Sequence, residues 1–150
     1  MSNGKNPSAL ELAIASAADR HQASEQALGK ARNRLRTSEA TYATLDSFRG
    51  EYANRLRGLT RLETDALGNY HRFLGKLGHA LHSQKNDVDQ AGVAVEQSQH
   101  NWFATLQRLK AMELLRDRRA AAEQLRLNRL EQKQSDEFAA RSARRLRTHD

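Results

Sequence analysis

The sequence predicts an all-α protein: a long antiparallel two-helix coiled-coil hairpin with a glycine-rich tip and an overhanging C-terminal helix. Three observations predict it. Apolar residues recur at a 4-3 spacing through two long stretches. Five of the eight glycines crowd between residues 50 and 78, separating those stretches. The one proline, Pro7, precedes both, so no later residue removes a helix donor. With 38% hydrophobic, 29% charged and 5% aromatic residues among 150, the composition suits solvent-rich helices better than a compact globule. The length allows one domain, residues 1–150.

The first helix is expected over residues 8–59. Ser8-Ala9-Leu10-Glu11 is a capping-box pattern, in which serine and glutamate each satisfy the other's backbone amide. From there the seam runs through Leu10, Ile14, Ala17, His21, Ser24, Leu28, Ala31, Leu35, Ser38, Tyr42, Leu45, Arg49, Tyr52, Leu56 and Leu59. Eleven of these fifteen positions are apolar, tyrosine included, which sustains a 3.5-residue period over seven heptads.

The tip is expected over residues 60–69. Each helical glycine costs about 1 kcal/mol relative to alanine, so a glycine cluster marks the turn. Thr60-Arg61-Leu62-Glu63 repeats the capping box and predicts a short tip helix, with a stop and restart at Gly68-Asn69.

The second long helix is expected over residues 70–147. Its seam is Tyr70, Leu74, Leu77, Leu81, Gln84, Val88, Ala91, Val95, Ser98, Trp102, Thr105, Leu109 and Met112, after which the pattern loosens. Antiparallel folding pairs residues whose numbers sum to about 130. This sets Val88 beside Tyr42, Val95 beside Leu35 and Trp102 beside Leu28. The small residues Thr105 and Ser98 then meet Ser24 and Ala31. In this register residues 121–147 overhang the first helix, and an unpaired helix of that length is marginal in water.

The chemistry of a site is missing. There is no phosphate loop, nucleophile elbow or His-Glu-x-x-His, so no catalytic residue, cofactor or metal is expected, and the chain reads as a non-enzyme. His79 and His82 are three apart with His71 nearby, but they read as surface histidines. The chain has no cysteine and no apolar run near the roughly 20 residues of a membrane span. Residues 1–6 are polar and lack a signal-peptide core. The expectation is a soluble, cytoplasmic protein whose membrane association is indirect. A net charge of +7 raises nucleic acid as a partner. Acids interleaved with the bases favour solvated helix faces instead.

Two surfaces stand out. Phe48 and Phe73 lie one position off the seam, on stripes that run Leu45, Phe48, Tyr52 and Phe73, Leu77, Ala80, Gln84. Such an apolar patch on a polar chain points to a protein contact. Between Arg116 and Arg147 there are ten Arg or Lys against five acids, with no base-reading motif or stacking aromatics. An acidic protein surface suits this segment at least as well as a phosphate backbone.

The block Asn128-Arg129-Leu130-Glu131-Gln132-Lys133-Gln134-Ser135-Asp136-Glu137-Phe138-Ala139 resembles the C-terminal signature of the FliJ family of flagellar export proteins. Asn69-Tyr70-His71-Arg72-Phe73, Glu51-Tyr52 and the Trp102 region fit it in order and spacing. The resemblance implies a cytoplasmic stalk-like coiled coil, peripheral at the inner face of the bacterial cell membrane. Its implied partners are the hexameric FliI-like export ATPase, the FlhA-like export gate and export chaperones, with no nucleic acid. The implied gate-binding patch is Leu45, Phe48, Tyr52, Phe73, Leu77 and Ala80, with Gln84 and Thr41 at its edge. By analogy with a rotary stalk, the terminal arms enter the ATPase ring, which marks Arg126, Arg129, Leu130, Lys133, Phe138 and Arg141. The equivalent stalk of a virulence type III secretion system is the alternative, followed by a basic nucleic-acid-binding coiled coil.

Overall fold

The computed structural model describes residues 6–58 and 64–149. Two helices account for nearly all of them: α1, Ala9–Gly58, and α2, Thr64–Arg147. No strand occurs among the described residues. The capping box forms as expected. The Ser8 amide donates to Glu11 Oε2 at 2.9 Å and the Glu11 amide donates to Ser8 Oγ at 3.1 Å. Two orphan amides are thereby satisfied where α1 begins, a local stabilisation of about 1 kcal/mol.

Contacts divide the chain into two units. The first, Asp19–Leu106, contains most of α1 and the first half of α2 packed antiparallel. Its core is Leu28, Leu77, Leu81, Ala91 and the buried Ser24. Burial follows the 3.5-residue period. Of the seam positions assigned to α2 from Tyr70 to Thr105, each is buried or half-buried. On α1 the same holds from His21 to Leu56 except at Arg49, which is exposed and ion-paired with Asp46 at 2.7 Å. Two-stranded coils bury little, and among the described residues only Ala91 reaches 0% exposure.

Bonded and stacked pairs fix the register of this unit. Ser24 with Thr105, His21 with Trp102, Ser38 with Gln84 and Tyr52 with Tyr70 have numbers adding to between 122 and 129. The centre is therefore a few residues below the expected 130. In an antiparallel seam each side chain sits between two facing positions, and the pairs named from sequence lie on the upper edge of that range. Leu28 and Trp102 do line one groove, and Tyr42 and Val88 another.

The second unit comprises Met1–Ala18 and Gln107–Asp150. It holds only the first ten residues of α1, Ala9 to Ala18, with Ala17 buried and Leu10 and Ile14 half-buried. Leu109 and Met112 of α2 are half-buried, whereas every residue from Leu114 to Arg141 is exposed. The overhang thus begins about seven residues earlier than expected, because the register is lower and ten residues of α1 cannot cover forty of α2.

The tip differs from expectation. The proposed stop and restart at Gly68-Asn69 is absent, since α2 runs through both residues from Thr64. The capping pattern at Thr60–Glu63 and the last seam residue, Leu59, lie outside the described residues. Gly50, Gly58, Gly68, Gly75 and Gly78 are all helical, and none has a positive φ. A Cβ at any of them would meet nothing within 4 Å. No close approach or left-handed turn requires glycine here. Gly68→Ala is accordingly expected to stabilise the start of α2 by about 1 kcal/mol. Slower amide exchange around Tyr70 would report it, and unchanged exchange would mean that the helix start is held by other contacts.

Candidate functional site

The aromatic patch is built where α1 ends and α2 begins. Tyr52, on the α1 seam, stacks against Phe73 at a ring-centroid distance of 4.6 Å and against Tyr70 at 6.5 Å. The Arg55 guanidinium lies 5.5 Å from the Tyr52 ring centroid, within cation–π range. Helical spacing explains the cluster, because Tyr70 and Phe73 are one turn apart and face one side chain of the other helix. Phe73 remains 43% exposed despite that stacking, and Phe48 is 46% exposed. Leu45 and Tyr52 are half-buried, and Ala80 and Thr41 are exposed.

Other members of the stripe face inward. Leu77 is buried in the seam, and half-buried Gln84 donates from Nε2 to the Ser38 carbonyl at 3.0 Å. Both are therefore seam residues rather than exposed members of the patch. Tyr70 was not marked as a patch residue from sequence, though its i, i+3 relation to Phe73 was the available signal. A further exposed apolar pair, Val93 and Phe103, lies off the seam and was also missed. Nothing in the heptad pattern distinguishes such positions from ordinary outer-face residues.

The basic helix has a different character. Arg126, Arg129, Leu130, Lys133, Phe138 and Arg141 are all exposed, and Phe138 reaches 73%. Arg126 forms a two-pronged pair with Glu123, donating from Nη2 to Oε1 at 2.8 Å and from Nε to Oε2 at 3.0 Å. That hydrogen bonding, and secondarily the positive charge, holds the Glu123 carboxyl below its ordinary range and pushes Arg126 up. Arg129, Lys133 and Arg141 have no ion-pair partner among the described residues.

Among the described residues no group of three or more His, Cys, Asp or Glu could hold a metal ion. None of the described helices is long and apolar enough to cross a membrane. The fold is a coiled-coil hairpin that carries an exposed aromatic patch and an exposed basic helix.

Comparison with known proteins narrows that class. The family model of the flagellar FliJ protein matches residues 7–148. The chain belongs to the FliJ family, non-enzymatic components of flagellar protein export. It is 31% identical over 120 residues to the flagellar FliJ protein of Escherichia coli (strain K12), covering 79% of this chain and 82% of that one. It has the same identity and coverage with the flagellar FliJ protein of Salmonella typhi.

Proposed function

We propose that this chain is a stalk-like adaptor that joins the flagellar export ATPase to the membrane export gate. The observation that carries this reading is the division of exposed apolar and basic surface between two places. Aromatics cluster around Tyr52 and Phe73, while the helix is exposed at every residue from Leu114 to Arg141. The basic stretch containing Arg126, Arg129, Leu130, Lys133, Phe138 and Arg141 engages and stimulates the hexameric ATPase. The patch of Leu45, Phe48, Tyr52, Phe73 and Ala80, with the seam residues Leu77 and Gln84, engages the gate protein. Export chaperones are further partners, and attachment to the membrane is peripheral, through the gate.

The patch is tested by replacing Phe48 and Phe73 together with alanine. Both rings are nearly half exposed, so helix content should hold and melting should shift by less than about 1 kcal/mol equivalent. Affinity for the gate protein's cytoplasmic domain should fall at least about tenfold, the size expected when aromatic anchors are removed from an interface. Calorimetric titration would measure it. Unaltered affinity would remove the patch from the gate contact.

A further inference from the structure

The apolar seam of this hairpin does not by itself define a register. Moving α2 by one heptad in either direction keeps apolar residues opposed. Leu28 then meets Val95 or Leu109 in place of Trp102, and Tyr42 meets Leu81 or Val95 in place of Val88. Apolar layers exchanged for apolar layers leave no polar group unpaired, so the seam alone discriminates weakly between registers. The tip is a weak stop as well, because its helical glycines fit no particular neighbour. Something else must select the pairing.

One layer, toward the end of the hairpin away from the tip, cannot be shifted without loss. His21 Nδ1 lies 3.1 Å from Thr105 Oγ1, and Ser24 Oγ lies 2.8 Å from the same oxygen. The His21 ring also stacks on Trp102 with centroids 5.6 Å apart. Ser24 is only 3% exposed and His21, Trp102 and Thr105 are half-buried, so these contacts are partly shielded from water. The Ser24 hydroxyl donates to the His21 carbonyl at 2.6 Å, and the Thr105 hydroxyl donates to the Trp102 carbonyl at 2.9 Å. With its own proton drawn to the Trp102 carbonyl, the Thr105 oxygen accepts from across the seam, either from the Ser24 hydroxyl or from His21 Nδ1 in the tautomer protonated there.

A one-heptad slip dismantles this arrangement. Thr105 would then face Leu28 and Ala31 in one direction, or Ile14 and Ala17 in the other, with no polar partner in either case. The other bond between the helices, from Gln84 to the Ser38 carbonyl, carries no such information. Every residue offers a carbonyl, so a slipped Gln84 finds an equivalent acceptor one heptad away.

We infer that the His21–Ser24–Thr105–Trp102 layer is the register pin of the hairpin, selecting one pairing among heptad-related alternatives rather than supplying its stability. A polar residue within an otherwise apolar seam is known to act in this way.

The test uses the full chain, which has no native cysteine. Thr44→Cys and Asn101→Cys, both at exposed positions, receive spin labels, and the interspin distance is measured by pulsed electron resonance. The background is varied between native, Thr105→Ser, and the triple change His21→Leu, Ser24→Ala, Thr105→Val. Native and Thr105→Ser proteins should each give a single distance. The triple variant should keep its helical signal and melt no lower, yet show a second population displaced by about 10 Å, the rise of seven residues. A single native distance in the triple variant would overturn the inference. So would loss of its helical signal, which would make the layer a source of stability rather than of register.

Discussion

Removing residues 121–150 is expected to abolish stimulation of the export ATPase while leaving the melting of the hairpin unchanged. The two effects separate because every residue from Leu114 to Arg141 is exposed and adds nothing to the buried seam. An isolated helix gains little in water from propensity alone, so this stretch is stabilised chiefly by what it binds. Its surface combines unpaired bases at Arg129, Lys133 and Arg141 with exposed Leu130 and Phe138. That mixture suits a partner presenting carboxylates around an apolar floor, where aromatic and arginine anchors dominate affinity. Phosphate hydrolysis by the cognate ATPase, with full-length and truncated protein, measures the effect. The truncated form should return the rate of the ATPase alone. Full stimulation by the truncated chain would move the ATPase contact elsewhere, and lost melting would show that the segment folds back on the hairpin. Raising salt should weaken the full-length effect, since exposed charges are screened within about 8 Å at physiological ionic strength.

The helical seam was legible because a 3.5-residue period has few structural solutions. His21 through Leu56 and Tyr70 through Thr105 were placed on it from spacing alone, and burial follows the same positions apart from Arg49. The start of α1 was equally legible, since the Ser8–Glu11 capping box is a local pattern with a local geometry. The tip was not. Glycine frequency suggested a break at Gly68-Asn69, but each glycine costs a helix only about 1 kcal/mol. Stacking of Tyr70 and Phe73 on Tyr52 offsets a loss of that size. The register was legible where Ser24 meets Thr105, as size matching placed them, but His21–Trp102, Ser38–Gln84 and Tyr52–Tyr70 lie a few residues lower, because each antiparallel side chain sits between two facing positions. Matching layers by size left heptad-related pairings nearly equal, and Ser24 and Thr105 were read only as small. Their hydroxyls, together with His21, hold the information that size does not. Of the candidate surfaces, exposure at Phe48 and Phe73 was foreseeable from their offset. Tyr70 required knowing which residue it faces across the seam.

Leu81→Ala is expected to cost about 3 kcal/mol, the largest effect of any single substitution in the seam. Leu81 is 3% exposed, the most buried large side chain of the hairpin. Truncating a buried leucine loses its transfer free energy and leaves a cavity, together about 2–5 kcal/mol. A two-stranded coil has few residues to compensate, because each layer contains only two side chains. Trp102→Ala should cost less, about 2 kcal/mol, although tryptophan is larger. Its ring is only half-buried and lines an open groove with Leu28 and Phe103, so part of its surface is already hydrated. Urea unfolding followed by circular dichroism at fixed chain concentration would rank the two. If Trp102→Ala proved the more damaging, the His21 stacking and the polar layer beside it would be supplying stability as well as register. The order Leu81 before Trp102 keeps the two roles apart, with stability residing in the few sealed apolar positions and pairing specificity in the polar layer between them.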